Sequence, residues 1–125
     1  MKIILTLIIT LLSTSSFSKE LFYNISKKTK EKITIVNVAD LDMNSACAKN
    51  KKKCLEVITK TITNPKKIQD HKLTVGNPAS DFCQANGGSS AILEDEKYNE
   101  YDYCIFANTY FIDSWNFFKK YNKNE

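Results

Sequence analysis

The chain has 125 residues, with 18 basic and 14 acidic side chains and a formal net charge of +4. Every basic side chain is lysine, and bidentate recognition of phosphate or guanine recruits arginine, so sequence-specific nucleic-acid binding is disfavoured. The net charge hides an asymmetry: Lys19–Pro78 has 13 Lys against 6 acidic residues, net +7, and Ala79–Glu125 has 4 Lys against 8, net −4. The basic half suits either an anionic surface or plain solvation.

Residues 1–18 are expected to be a signal peptide. Lys2 supplies a positive start, Ile3–Leu12 is an apolar run of ten residues, and Ser16-Phe17-Ser18 has small residues where a signal peptidase reads. Ten apolar residues fall short of the roughly 20 that a spanning helix needs, and no cysteine follows to take a lipid. Cleavage before Lys19 leaves one small domain of 107 residues, bound for the periplasm or the medium, with a modest core and no membrane span.

Lys19–Lys32 reads as a loose arm. Ile33-Thr34-Ile35-Val36-Asn37-Val38 is β-branched and reads as a strand. Asp40-Leu41-Asp42-Met43-Asn44 reads as a turn entering a short helix near Ser45–Ala48. Cys54–Thr63 reads as a helix with Leu55, Ile58 and Ile62 on one face, although its threonines also permit a strand. Asn64-Pro65 ends it, and Lys66–Leu73 is a basic connector.

The next stretch, Gly76–Gly88, is a short helix with both ends written in. Asn77 is a good N-cap, Pro78 suits the first helical position, and Asp81 meets the positive end of the helix dipole. Gly87 can take the left-handed conformation that stops a helix. Ala79, Phe82 and Cys83 share a face. Ser89–Leu93 then reads as a strand and Glu94–Glu100 as a charged turn. Tyr101–Phe106 alternates as a strand with Tyr101, Tyr103 and Ile105 on one face. Ala107-Asn108 is a tight turn, Thr109–Ile112 a third strand, and Trp115–Tyr121 a helix capped by Asp113 or Ser114. The expected fold is α+β: short helix, three-stranded antiparallel meander and C-terminal helix, preceded by a strand/helix segment.

The four cysteines are Cys47, Cys54, Cys83 and Cys104, at spacings of 7, 29 and 21. An even count in a small exported chain argues for disulfides. Three connectivities are open, and Cys47–Cys54 with Cys83–Cys104 is favoured. Seven residues of continuous helix rise about 10 Å, so the first pair requires Lys49–Lys53 to be a loop. No C-x-x-C pair is present and the only histidine is His71, so neither a zinc site nor redox chemistry is expected.

Asn77-Pro78-Ala79-Ser80, Cys83, Gly87-Gly88, Tyr103-Cys104 and Ile112-Asp113-Ser114-Trp115 together resemble the motif of a bacterial domain-of-unknown-function family, the one numbered 333. Its members are often labelled haemolysins and are typically exported proteins or lipoproteins. The resemblance covers Val75–Tyr121 and supports the Cys83–Cys104 pair. Where the family usually has a glycine near the second cysteine, this chain has Glu100-Tyr101-Asp102. It has Ala107-Asn108 at the next turn in place of Asp-Gly or Gly-Gly. It has Ser114 where Glu usually precedes the tryptophan.

This divides the chain into 1–18, the 19–74 segment of no recognised kinship, the 75–121 domain and a tail over 122–125. The motif half is expected to fold alone from near Lys72. No nucleophile-and-base pattern is present: His71 stands in a polar connector, and Glu94-Asp95-Glu96 lacks the spaced oxygen ligands of a calcium loop. No catalytic residue, metal or cofactor is assigned. Trp115 and Phe118 are expected to cover the sheet. Phe117 and Tyr121 then lie on the neighbouring helix face, the candidate binding patch. The functional expectation is a non-enzymatic, monomeric envelope module that binds an envelope protein or an anionic surface. A membrane-active haemolysin-like protein and an enzyme of unknown reaction are the alternatives.

Overall fold

The computed structural model describes residues 18–61 and 77–122. The apolar run at 3–12, the connector at 66–73, His71 and Ile62 lie outside the described residues. Six antiparallel strands close into a barrel, in the order β1–β2–β3–β6–β5–β4. They are β1 (Ser18–Ser26), β2 (Thr29–Val38), β3 (Leu41–Asn44), β4 (Ser89–Glu94), β5 (Glu100–Phe106) and β6 (Tyr110–Asp113). Among the described residues four helices accompany them: α1 (Ser45–Lys49), α2 (Lys51–Thr61), α3 (Pro78–Ala85) and α4 (Ser114–Tyr121).

The barrel overturns the expected helix–meander–helix arrangement. β4, β5 and β6 do form an antiparallel run between α3 and α4, but they are half of a closed wall that β1, β2 and β3 complete. The physical reason is the second face of that sheet. Leu93, Tyr103 and Phe111 are buried together with Leu21, Ile33 and Ile35 of β1 and β2. A three-stranded sheet with helices on one side would leave those side chains in water. Closure buries them and removes exposed strand edges at the same time.

Two strands were not expected. Lys19–Lys32 is no loose arm: β1 pairs with β2 from Ser18↔Val36 to Ser26↔Thr29. Leu21 points into the barrel, while the opposite face, Ser18, Glu20, Phe22, Asn24 and Ser26, is mostly polar, so the strand shows little apolar pattern. Leu41–Asn44 is likewise β3 rather than a turn. The turn is Ala39-Asp40, with φ of 52° and 64°, and Val38 pairs directly with Leu41. Two successive positive φ angles are the type I′ hairpin geometry. Alanine is an uncommon residue there, which is why the sequence hides the hairpin. Ala107-Asn108, φ 52° and 54°, takes the same two conformations in the three-residue connection between β5 and β6, where Phe106 pairs with Tyr110.

The second core lies outside the barrel wall. Leu41, Met43, Cys104, Phe106, Tyr110 and Ile112 face outward and meet Cys47, Cys54, Ile58, Phe82, Cys83 and Phe117 of the helices. Strand alternation thus divides β5 into Tyr101, Tyr103 and Ile105 inside and Cys104 and Phe106 outside. The two seams that join the halves are thin. β3 meets β6 at Met43↔Ile112 and β1 meets β4 at Phe22↔Glu94 and Tyr23↔Leu93. Side chains reinforce the first: the Asp42 N–H donates to Asn116 Oδ1 of α4 at 2.9 Å.

Candidate functional site

The motif residues decide which surfaces remain available. Asn77 caps α3, its Oδ1 accepting from the N–H groups of Ala79 at 3.0 Å and Ser80 at 3.3 Å. Its Nδ2 donates to the Asp102 carboxylate on β5. Pro78 occupies the first turn and Ala79 is buried against the wall. Ser80 Oγ donates to Ser90 Oγ of β4 at 2.7 Å. Cys83 is bonded to Cys104, tying α3 to β5. Gly87 has φ 85° and ends the helix. Gly88 is a glycine for another reason. A Cβ there would lie 2.8 Å from Cys83 Sγ and closer still to Cys104 Sγ, so the disulfide fills the space that any side chain would take. Asp113 caps α4, accepting from the Asn116 N–H at 2.9 Å. The motif is therefore a set of caps, one staple and one close approach.

The expected patch of Phe117 and Tyr121 does not form. Phe117 is 0% exposed and wedged among Phe82, Phe106 and Tyr121, with ring centroids at 5.1, 5.4 and 5.2 Å. Tyr121 is half-buried, and its burial raises its phenol pKa. Trp115 is the outward residue, 40% exposed, edge-on to Phe118 at 6.0 Å. The three-and-four spacing grouped these residues correctly into faces but did not say which face turns inward.

Cys47 is bonded to Cys54. The loop expected at Lys49–Lys53 shrinks to a break at Asn50: α1 ends at Lys49 and α2 starts at Lys51. Three lysines at the start of α2 oppose its dipole, and the disulfide holds the corner against that.

The functional residue that sequence reasoning missed is Asn44. It caps α1 by accepting from the Cys47 N–H at 3.3 Å. It also accepts from the Phe111 N–H at 3.1 Å and donates to the Thr109 carbonyl at 2.8 Å. The signal available was an Asn directly before Ser-Ala-Cys-Ala, an N-cap pattern. Because the chain turns into α1 at Asn44, β3 stops there. β2 pairs with β3 only over Ile35–Val38, so Glu31–Thr34 lack a β3 partner on that side. The gap in the wall is a groove of about 510 Å³. Ile33, Tyr23 and Phe111 form its floor, the two rings meeting edge to face at 5.7 Å. Lys32, Glu31, Asn108 and Thr109 form its rim. Apolar floor, polar rim and concave shape are what a ligand or peptide segment needs.

Glu94-Asp95-Glu96 is a structural turn. The Asp95 carboxylate accepts from the N–H groups of Lys97 and Asn99 at 2.8 and 3.0 Å, from Asn99 Nδ2 at 2.9 Å and from Tyr101 OH at 3.1 Å. The Asn99 amide, with these other donors, lowers its pKa, and the same carboxylate raises that of Tyr101.

Among the described residues, no helix is long and apolar enough to cross a membrane. Comparison with curated proteins and with solved structures gives no match. Residues 74–121 match the family model Domain of unknown function (DUF333), the family that the Asn77–Trp115 motif resembles.

Proposed function

We propose that the chain is an exported, non-enzymatic module of the cell envelope that engages a partner through the groove between β2 and β6. The observation that carries this reading is the gap itself. β3 leaves the wall at Asn44 and opens an aromatic-floored groove in an otherwise closed barrel. Two disulfides and a lysine-rich hairpin at Lys27–Lys32 support an oxidising compartment and a partner with anionic character.

The test uses the protein isolated from an exporting cell. Wild type and Asn108→Arg, which fills the rim, are presented to envelope extract after chemical cross-linking. A species retained by wild type and lost by the variant supports the groove. Equal recovery of every species removes it. Dye release from anionic vesicles by wild type would move the reading to the membrane-active alternative.

A further inference from the structure

The inward face of the barrel turns polar toward its open mouth, where Asn37 is exposed and Asp42 and Asp113 are half-buried. Asn37 of β2 lies directly opposite Asp42 of β3, and Tyr103 of β5 directly opposite Asp113 of β6. β3 and β6 meet at Met43↔Ile112, so extending that register by one residue sets Asp42 across from Asp113. Asn37, Asp42, Asp113 and Tyr103 thus form one polar row across four neighbouring strands. Residues directly opposite on one face have Cβ atoms about 5 Å apart, and like charges placed so repel.

Among the described residues one cation serves this row: Lys19 Nζ lies 3.4 Å from Asp42 Oδ2 and 4.9 Å from the Tyr101 ring centroid. Asn37 Nδ2 donates to Asp42 Oδ1 at 2.8 Å. Asp113 uses Oδ1 to cap α4. Tyr103 is 0% exposed, and among the described residues its hydroxyl has no hydrogen-bond partner. A buried hydroxyl with neither donor nor acceptor is costly. The phenol pKa is raised, by burial first and then by Asp113 and Asp42. The row therefore has one negative charge in excess and an orphan hydroxyl beside it. Next to it opens a cavity of about 270 Å³ lined by Ser18, Lys19, Ile35, Asn37 and Asp42.

We propose that this polar row at the barrel mouth binds a small primary alkylammonium ion between Asp42 and Asp113, with the Tyr103 hydroxyl as third contact. An ammonium brings three N–H donors, enough for both carboxylates and the phenol oxygen. Lys19 shows the chemistry in place, since its own ammonium is paired with Asp42 over an aromatic face. A metal ion fits less well: among the described residues no three His, Cys, Asp or Glu side chains gather.

The experiment titrates the full chain with 1,4-diaminobutane at neutral pH and follows the Asp113 carboxyl carbon and the Tyr103 ring by NMR. Saturable shifts of both are expected. Lys19→Ala removes the resident ammonium and tightens binding about tenfold, whereas Asp113→Asn, which keeps the helix cap, weakens it about tenfold. Tyr103→Phe weakens it less and leaves the fold intact. No saturable shift in wild type or in Lys19→Ala overturns the proposal. So does binding that Asp42→Asn and Asp113→Asn leave unchanged, or a response to calcium alone. The groove between β2 and β6 is not involved, so failure here leaves the envelope reading standing.

Discussion

Replacing Gly88 with Ala tests how tightly the fold is built on its second disulfide. The new Cβ would stand 2.8 Å from Cys83 Sγ and nearer to Cys104 Sγ, well inside van der Waals contact. The sulfurs are fully buried and tied to α3 and β5, so they cannot swing away as a flexible side chain would. Overpacking of a core costs about 1–3 kcal/mol, and immobile sulfurs put this case at about 3 kcal/mol. For a domain near 100 residues that lowers Tm by at least about 12 °C. Gly87→Ala, by contrast, meets only the strain of φ 85°, about 1–2 kcal/mol. Ordinary turn reasoning ranks the two glycines the other way. Coupling sharpens the test. Cys83→Ala with Cys104→Ala costs about 3 kcal/mol on its own by the chain-entropy estimate, but in that background Gly88→Ala should cost under about 1 kcal/mol, because the sulfurs are gone. Urea denaturation of the four proteins measures it. Additive costs, or a Gly88→Ala variant within about 0.5 kcal/mol of wild type, would refute the reasoning.

Burial, helped by Asp42, raises the Asp113 carboxyl above its ordinary value of 3.8. The folded state then binds that proton more tightly than the unfolded chain, so this group's contribution falls as pH rises from 3.8 through the raised value. Asp113→Asn keeps the cap and should raise stability at pH 7 by about 0.5 kcal/mol, the scale of an opposed like-charge pair, while changing little at pH 3; urea midpoints at the two pH values check it. Ser114 Oγ is buried without a partner among the described residues, so Ser114→Ala should be neutral or stabilising by up to about 1 kcal/mol; a loss of stability in thermal melts would reveal a partner. Ala107→Gly should relieve left-handed strain and stabilise by under about 1 kcal/mol after the unfolded-state entropy is counted, read as a raised Tm. A fragment of residues 72–125 should remain unfolded, since it lacks the strands that cover Leu93, Tyr103 and Phe111; native-like near-UV circular dichroism from it would contradict the shared barrel.

Much of the motif half was legible because its signals are local. Asn77-Pro78 and Gly87 mark both ends of α3 by rules that act within one turn, and the alternation of Tyr101, Tyr103 and Ile105 marks the inner face of β5 directly. The closure was not legible. Nothing in Lys19–Lys32 says that Leu21 will meet Leu93 and Phe111 beside Ile33, because the other face of that hairpin is solvated and its charge masks the alternation. The β3 hairpin was hidden by Ala39, which occupies a conformation that sequence rules give to Gly, Asn or Asp. The inward face of α4 was misassigned because the spacing of Trp115, Phe117, Phe118 and Tyr121 defines faces without saying which one meets the wall. The hole between Phe82 and Phe106 accepts Phe117 instead. Asn44 and the groove it opens depend on where β3 ends, which is a tertiary fact.

Where the motif lies also says where function can lie. Asn77, Ser80, Cys83 and Gly88 are all engaged in capping, stapling or close packing. A residue spent on holding α3 to β4 and β5 has no free valence for a ligand. The groove and the polar row both draw on the segment that precedes the motif: Tyr23, Ile33 and Asn44 in the first, Lys19, Asn37 and Asp42 in the second. Each also borrows from the motif half, through Phe111 in the groove and through Asp113 and Tyr103 in the row. Both candidate sites therefore exist only once β3 has met β6 and β1 has met β4. Those seams consist of one and two residue pairs, so each site stands at a junction of low local stability. A ligand bridging Asp42 to Asp113 would act on the fold as a clasp across its weakest seam, and its binding would register as stabilisation of the whole barrel.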